Sequence, residues 1–288
     1  MIVVRLWGGL GNQMFQYAAG RSAAMANQTN LVYDLGWYRH TPKYNTPRQF
    51  ELVRYPVLGR EATEKEESTG RFYTGRILRR LPLLPRPWHL LRENGFDYDI
   101  AVQNARDNTY LNGYWQSYRY FEGFAGILRE ELTPKIPPGA KDMIVLNQIE
   151  DSCSVSVHVR RGDYITKKTA LNVHGVCTLE YYRTAFNTIK SLVQDPHFFV
   201  FSDDTQWSQE NLVFPGRATF VDHNSPATAF QDMRLMSQCR HHIVANSSFS
   251  WWGAWLNPRP DKIVIAPRKW FADGRSTNDL IPADWKRL

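Results

Sequence analysis

The chain has 288 residues, with 35 Lys and Arg against 28 Asp and Glu, so its formal net charge is +7 at pH 7. With 43% hydrophobic and 14% aromatic residues it can bury enough apolar surface to exclude a largely disordered protein. Because no apolar run approaches the ~20 residues of a membrane-spanning helix and no signal-peptide core follows the opening MIVVRLW, we expect a cytoplasmic protein.

The net charge and the cysteines limit which partners and cofactors we expect for this protein. The sequence pI near 9.3 favours an anionic partner, either nucleic acid, membrane lipid or a phosphorylated small molecule. Nucleic-acid binding rests on that charge alone, since the sequence carries no RNP box or zinc finger. The cysteines lack CxxC or metal-ligand spacing, so we interpret all of them as buried thiols and expect no disulfide framework and no structural metal; they are Cys153, Cys177 and Cys239.

The N-terminus predicts a strand, a glycine loop and a helix. Residues 2–7 are largely β-branched or apolar, GGLG follows at 8–11, and helix formers with apolar spacings of three and four come next. A second strand is expected at 30–34, as in the first half of a nucleotide-binding α/β unit.

The same glycine loop supports an alternative function. Glycines allow a close approach of backbone to ligand, and Asp34 lies at a suitable distance for a ribose contact, as in a nicotinamide-dependent oxidoreductase. Against this, Met14 stands where the third glycine of GxGxxG, counted from Gly9, is required.

Between residues 36 and 92 six prolines interrupt the pattern, and we expect loops and short helices. The second half of this stretch is basic and partly hydrophobic. It is either the solvated face of a helix or a contact with an anionic acceptor or a membrane surface, which would place the protein peripherally on the inner membrane. The arginines concerned are Arg71, Arg76, Arg79, Arg80, Arg86 and Arg92.

The middle of the chain predicts a domain boundary. A strand end is expected at 110–115 and an amphipathic helix at 120–132. Three prolines and a glycine then cluster at 134–139, so the boundary lies within 133–150. We predict two α/β domains, 1–140 and 141–288, with the last residues able to pack back on the first domain.

The second half repeats the α/β alternation. Open parallel sheets bind ligands at the carboxyl ends of their strands, and two such domains place a cleft between them. The expected strands are 153–159, 197–202, 242–245 and 262–266, and the expected helices are 179–193, 230–237 and one beginning at 251.

The segment HVRRGDY follows the strand at 153–159. Alternation along a strand puts His158 and Arg160 on the same side, where they can face a common site. An arginine donates two parallel hydrogen bonds to a phosphate and stays charged. Asp163 can orient one arginine or accept a proton. The alternative is a surface ion-pair cluster.

The segment FSDD ends the strand at 197–202. Carboxylates there can bind Mg²⁺ or accept hydrogen bonds from a base or ribose. Asp203 and Asp204 are adjacent, so their side chains diverge, and the spaced DxD pattern is absent. We favour a hydrogen bond from the nucleotide to one of them; helix capping is the alternative.

The segment NSSFSWW precedes a predicted helix. Small hydroxyl residues at a helix start expose backbone N–H groups to a diphosphate, and the helix dipole adds to the attraction. The candidate ligand-binding residues are Asn246, Ser247, Ser248 and Phe249, whereas Trp251 and Trp252 are expected in the core.

Five blocks together resemble the bacterial α-1,2-fucosyltransferases of glycosyltransferase family 11. They occur in family order between Ile2 and Phe271 and read GGLGNQMFQYA, HVRRGDY, FSDD, ANSSFSWWGAWLN and KIVIAPRKWF. The resemblance implies the α/β GT-B architecture, in which two Rossmann-like domains face a central cleft. It also implies that the C-terminal domain holds GDP-fucose, that the N-terminal domain contributes to the acceptor site, and that transfer is inverting and needs no metal or other cofactor.

The resemblance also implies roles for individual residues. Negative charge grows on the β-phosphate as GDP leaves, and Arg160 matches the motif arginine that contacts the diphosphate in related enzymes. The base that deprotonates the acceptor is Asp163, His158 or a group held by the glycine loop, whose Asn12 and Gln13 can only position a hydroxyl. The acceptor-side candidates are Gly9, Gly11, Asn12 and Gln13. The family's expected acceptor is a galactose-terminated glycan on a lipid-linked surface-polysaccharide precursor such as O-antigen.

Overall fold

The computed structural model describes residues 1–39, 48–74, 88–162, 171, 173 and 175–288, with the backbone alone for 71–74. The chain divides into two compact units. Unit 1 comprises Met1–Lys135 with Thr277–Leu280, and unit 2 comprises Ile136–Ser276 with Ile281–Leu288. Within the described ranges, no helix combines the length and hydropathy that a bilayer-spanning segment requires.

Unit 1 is an α/β unit with short strands. Its strands are β1 (Ile2–Arg5), β2 (Leu31–Asp34), β3 (Arg60–Glu61), β4 (His89–Arg92) and β5 (Thr109–Asn112). Its helices are α1 (Leu10–Ala26), α2 (Gly36–Arg39), α3 (Glu64–Thr74), α4 (Ile100–Gln103) and α5 (Ala125–Glu131). The strands form one parallel sheet in the order β3-β2-β1-β5-β4.

The predicted strand–loop–helix start of unit 1 is confirmed. The chain leaves β1, and Gly8 turns it with a φ of 81°, a left-handed value that glycine tolerates best. Gly9 then caps the amino end of α1. Val3 and Val32 of the two central strands pack with Tyr110 of β5 in a buried cluster, which explains why β-branched residues occupy these positions.

Three expectations for unit 1 were wrong. The stretch 36–92 contains β3, β4 and the eleven-residue α3, which its prolines concealed. The strand expected at 110–115 ends at Asn112, since the chain turns at Trp115 with a φ of 56°. The helix expected at 120–132 begins only at Ala125, preceded by 3₁₀ turns at Tyr118–Tyr120 and Glu122–Phe124.

Unit 2 has a longer-stranded parallel sheet. Its strands are β6 (Cys153–Val159), β7 (Pro196–Ser202), β8 (Arg217–Val221), β9 (His241–Ile243), β10 (Val264–Ala266) and β11 (Lys286–Arg287). Its helices are α6 (Ala140–Glu150), α7 (Leu179–Leu192), α8 (Thr205–Asn211), α9 (Ala229–Gln238) and α10 (Ser248–Leu256). The strand order is β11-β10-β9-β6-β7-β8, with β6 near the centre.

Alternation along the strands builds two apolar layers in unit 2. Val155, Val157 and Val159 face the layer that includes Phe186 of α7. Phe199 and other side chains on the opposite face pack with α6 and α9. The predicted strands and helices of this half are therefore confirmed to within a few residues, but α8, β8 and β11 were missed, and α6 occupies much of the interval expected to hold the boundary.

Candidate active site

The carboxyl ends of β6 and β7 bring two sequence-predicted segments together. The parallel register aligns Val159 with Ser202, so the residues that follow, Arg160 and Asp203, lie side by side. Arg160 Nη1 is 2.9 Å from Asp203 Oδ2, and the two side chains are 24% and 25% exposed. The backbone N–H of Arg161 donates to Asp203 Oδ1 at 2.8 Å. One carboxylate thus holds two consecutive residues of the loop after β6.

The surroundings of Gly162 explain why the HVRRGDY segment has a glycine at this position. A Cβ at this position would lie 2.5 Å from Asp203 Oδ2, well inside contact distance. Any other residue would displace either the loop or the carboxylate that holds it.

Asp204 has a separate, capping role. Its Oδ1 accepts a hydrogen bond from the Trp207 backbone N–H at 3.2 Å and caps the amino end of α8. Its Oδ2 accepts from Arg161 Nε at 3.2 Å, and the Arg161 guanidinium lies 3.6 Å from the centre of the Trp207 ring. The helix-capping alternative therefore describes Asp204.

His158 is a buried, uncharged imidazole at this end of β6. It is 6% exposed, and its ring centroid lies 5.7 Å from that of Phe249. Burial, with a further contribution from the charge of Arg160, lowers the pKa of His158 to about 3. Within the described part of the chain, Nδ1 has no hydrogen-bond partner. The imidazole is therefore neutral at pH 7.

Phe249, in the first turn of α10, packs against the His158 ring. The Ser247 hydroxyl caps this helix by accepting from the Phe249 backbone N–H at 3.3 Å. Ser248 and Phe249 are partly exposed. The expectation that the tryptophans are core residues is confirmed, since Trp251 and Trp252 are both fully buried.

Asn246 is an internal cross-link. It is 2% exposed, and its Nδ2 donates to the carbonyls of Trp270 at 3.2 Å and Gly175 at 3.4 Å. Its Oδ1 accepts from the Cys177 thiol at 3.5 Å.

The expectation that all three cysteines are buried was wrong in part, since Cys239 is buried whereas Cys153 and Cys177 are partly buried.

The glycine loop of unit 1 is held by side-chain amides. Gly11 is buried within α1. Asn12 Oδ1 accepts from Gln116 Nε2 at 2.9 Å. Gln13 is fully buried; it donates to the carbonyls of Gly8 and Gln49, at 3.0 and 2.8 Å, and accepts from the Glu51 N–H at 2.8 Å. Its amide therefore braces the loop against residues 49–51.

A carboxylate that sequence analysis missed lies at the amino end of α1. The Leu10 backbone N–H donates to Glu51, and burial raises the pKa of that carboxyl group. A Cβ on Gly9 would lie 3.7 Å from the Arg48 guanidinium. No sequence motif marks Arg48 or Glu51, because their proximity to the loop arises from the fold.

Asp34 and Glu51 together remove the basis of the oxidoreductase alternative. Asp34 is 2% exposed; its Oδ1 accepts from the Gly36 N–H at 2.8 Å and its Oδ2 from the Tyr110 hydroxyl. Both oxygens of Asp34, the residue expected to bind a ribose, are thus already hydrogen-bonded inside the protein. The amino end of α1, which would bind a pyrophosphate, already lies next to the Glu51 carboxylate.

Two sequence predictions fall outside the described residues. Asp163 is one, and residues 75–87, the greater part of the basic segment, are the other. In the ranges that are described, no three His, Cys, Asp or Glu side chains are grouped so that they could hold a metal ion.

Comparison with known proteins identifies a matching family and two similar proteins. A sequence profile described as "Glycosyl transferase family 11" matches residues 93–288. The chain is 36% identical to an alpha-1,2-colitosyltransferase from Escherichia coli, over 100% of this chain and 99% of the relative. It is 33% identical to the O-antigen biosynthesis glycosyltransferase WbnK from Escherichia coli, over 98% and 99%.

The fold is shared with solved structures. Those of the fucosyltransferase NodZ from Bradyrhizobium, including one co-crystallised with GDP, superimpose with a TM-score of 0.50 at 17% identity, covering 92% of this chain and 94% of the other. This similarity and the two parallel α/β units confirm the predicted GT-B fold class.

Proposed function

The chain belongs to glycosyl transferase family 11, and from that membership we propose that it transfers L-fucose from GDP-fucose to the 2-hydroxyl of a galactose-terminated glycan. The proposed reaction inverts the anomeric carbon and uses no metal ion. In it, the acceptor oxygen forms a bond to the sugar as the bond to GDP breaks, and the acceptor's proton passes to a base.

The Arg160–Asp203 arrangement is the observation that carries this proposal. A guanidinium at the carboxyl end of a central parallel strand lies where open α/β sheets bind nucleotides. Asp203 fixes its direction, and about a quarter of the side chain is exposed to an incoming ligand. A fixed cation of this kind stabilises the charge that grows on the β-phosphate as GDP departs.

Two neighbouring groups complete the proposed donor site. The amino end of α10, capped by Ser247, carries partial positive charge that favours a diphosphate. His158 is neutral and adds one hydrogen-bonding nitrogen without further charge. His158 is only 6% exposed, so among the sequence candidates Asp163 is the proposed proton acceptor.

The names of similar proteins support one acceptor class and suggest a competing donor. The name of WbnK supports an O-antigen precursor as the acceptor, which in turn supports a site of action at the cytoplasmic face of the inner membrane. The colitosyltransferase supports transfer of colitose as a second candidate, since this relative aligns over the whole chain. Colitose is L-fucose without its 3-hydroxyl group, so the two donors differ at one polar atom.

Product analysis tests the proposal. The purified chain is incubated with GDP-fucose or GDP-colitose, a panel of galactose-terminated oligosaccharides, and EDTA, and the linkage of each product is determined. We expect an α-1,2-linked fucosyl product in the presence of EDTA, at a higher kcat/KM than with GDP-colitose. A site that hydrogen-bonds a hydroxyl discriminates strongly against the donor lacking it.

Each contrary outcome removes a defined part of the proposal. Preference for GDP-colitose replaces the donor, and loss of transfer on chelation removes the metal-independent mechanism. Absence of transfer across the panel overturns the proposed activity. In a thermal-shift assay GDP should raise the melting temperature and NAD should not.

A further inference from the structure

The loop after β9 carries a buried amide whose hydrogen bonds all run to other parts of unit 2. Asn246 lies between the end of β9 and Ser247, the residue that caps α10. Its side chain is 2% exposed and is hydrogen-bonded to the carbonyls of Gly175 and Trp270 and to the Cys177 thiol. A ligand at this edge of the sheet cannot reach the amide without displacing these partners.

The carbonyl partners of Asn246 belong to two other loops at the carboxyl edge of the sheet. Trp270 lies in the loop after β10, and Gly175 lies in the segment that leads from the loop after β6 into α7. A backbone hydrogen bond joins the same two loops, from the Ala272 N–H to the Val173 carbonyl at 2.9 Å. Asn246 therefore lies where three loops meet.

Further contacts lead from this junction to the end of β6. Cys177 is within hydrogen-bonding reach of the Tyr182 hydroxyl, which donates to the His158 carbonyl at 3.0 Å. The neighbouring Tyr181 hydroxyl donates at 2.6 Å to the carbonyl of Val244, the residue that follows β9. The first turn of α7 thus holds the ends of both β6 and β9.

The relative position of these two strand ends matters to the proposed donor site. Arg160 follows β6, whereas the amino end of α10 follows β9, the strand next to β6 in the sheet. A diphosphate has to meet both groups at donor–acceptor distances of about 3 Å, and hydrogen bonds weaken steeply when their geometry is poor. A displacement of about 1 Å of one group therefore weakens the binding of the ligand by both.

We propose that Asn246 is a positioning residue for the donor: it holds the amino end of α10 in place relative to the loop after β6, so that the helix end and Arg160 bind one diphosphate. Asn246 does not itself touch the ligand. The proposal rests on the proposed donor site, but it concerns the binding of GDP and is independent of the sugar transferred and of the acceptor.

The other end of α10 supplies a matched control. Asn257 is 1% exposed, and its Nδ2 donates to the carbonyls of Cys239 at 2.8 Å and Arg240 at 3.4 Å. It links α10 to the amino end of β9, away from the edge that carries Arg160. The two asparagines share residue type, burial and bonding to two carbonyls, and they differ in the end of the sheet at which they lie.

Asn246→Ser and Asn257→Ser test the proposal, with Tyr182→Phe as a milder variant that keeps the aromatic ring. Calorimetry measures the Kd for GDP at a temperature below the unfolding transition of every variant, and thermal unfolding measures the loss of stability. Steady-state kinetics, with lactose as the galactose-terminated acceptor, give the KM for GDP-fucose and the KM for lactose.

We expect Asn246→Ser to raise the Kd for GDP and the KM for GDP-fucose by about tenfold, with the KM for lactose unchanged. Tyr182→Phe should raise the Kd for GDP by about threefold, since it removes one hydrogen bond to the end of β6. Asn257→Ser should lower the melting temperature as much as Asn246→Ser does but leave the Kd for GDP unchanged.

An unchanged Kd for GDP in Asn246→Ser, or an equal rise in Asn257→Ser, overturns the proposal because the amide then acts on stability alone. If Asn246→Ser does not fold, Tyr182→Phe decides the question, and an unchanged Kd for GDP in that variant overturns the proposal. Absence of GDP binding to the wild type overturns both this proposal and the proposed donor. If GDP binds with the expected pattern but no sugar is transferred, the proposed function fails and the role of Asn246 stands.

Discussion

The loop after β6 in unit 2 and the glycine loop after β1 in unit 1 both lie at the carboxyl edge of a parallel sheet, yet different groups hold them. The loop carries two arginines whose positions are fixed by carboxylates, Arg160 by Asp203 and Arg161 by Asp204. The glycine loop is held by the Gln13 side-chain amide, and the Glu51 carboxylate accepts from the Leu10 N–H at the amino end of α1. The first arrangement suits an anionic diphosphate, whereas in the second a carboxylate already lies at the helix end.

This difference shows that two similar parallel sheets can carry loops with different electrostatics. Strands β6 and β7 are seven residues long and align in register, so they place an ion pair accurately at their ends. The strands of unit 1 have two to four residues, and its glycine loop is held by the distant residues 49–51. Predictions that affect one region and spare the other test the distinction.

Arg160→Ala is expected to have the largest effect. Loss of one preorganised donor to the leaving group costs roughly 3 kcal/mol, so kcat should fall at least about 100-fold while the KM for lactose stays within about twofold. The control is Arg217→Ala, an exposed arginine at the amino end of β8, on the opposite edge of the same sheet. Normal turnover in Arg160→Ala would remove this arginine from the mechanism.

Asp203→Asn should have an intermediate effect, because Asp203 acts through Arg160. The amide keeps an acceptor for the Arg161 N–H but loses the charge that holds the guanidinium, a loss of about 1.5 kcal/mol or about tenfold in kcat.

A double-mutant cycle separates positioning from a general structural effect. In the Arg160→Ala background, Asp203→Asn should add little further loss. Full additivity of the two losses would show that Asp203 does not act through Arg160. Asp97→Asn, the same chemical change at an exposed carboxylate of unit 1, should leave kcat unchanged.

The smallest expected effect concerns a carboxylate of unit 2 outside the loop after β6. Asp232 of α9 accepts from Asn224 at 2.8 Å, and burial raises its pKa from 3.8 to about 6. The native state thus binds this proton more tightly than the unfolded state. The resulting stabilisation is complete below pH 3.8 and is lost as the pH rises through about 6.

Asp232→Asn removes the cost of burying that charge. Relative to the wild type, we expect a gain of about 1 kcal/mol at about pH 7.5, reduced for partial exposure, and a smaller gain at about pH 4.5. Melting temperatures at the two pH values measure it. Equal gains at both would show that the Asp232 carboxyl is not the cause, and kcat should not change because α9 carries no proposed catalytic group.

Much of the donor side could be predicted from sequence because its information is local. Alternating apolar residues at 153–159 and 197–202 specify the strands, and the polar residues that follow them fall at the carboxyl edge of any parallel sheet. That was enough to select His158, Arg160, Asp203 and Asp204 as candidates for donor binding. The residue type alone was also enough to suggest helix capping by one of the two aspartates.

Less of unit 1 could be predicted, because its contacts are between residues far apart in the chain. Gln13 is hydrogen-bonded to the backbone of Gln49 and Glu51, and Asp34 is hydrogen-bonded to Tyr110. Proline spacing concealed β4, and with it the segment that carries Glu93 and Tyr98. No local pattern distinguishes such residues from those of an ordinary loop.

The sequence by itself determined the α/β class, the family resemblance and the arginine at the end of β6, since strand periodicity and short motifs are encoded in neighbouring residues. Only the tertiary structure decided which carboxylate holds that arginine, that Glu51 lies at the amino end of α1, and that Gln13 braces the glycine loop against residues 49–51. The physical reason is that burial, hydrogen bonding and pKa depend on which distant side chains the fold brings into contact.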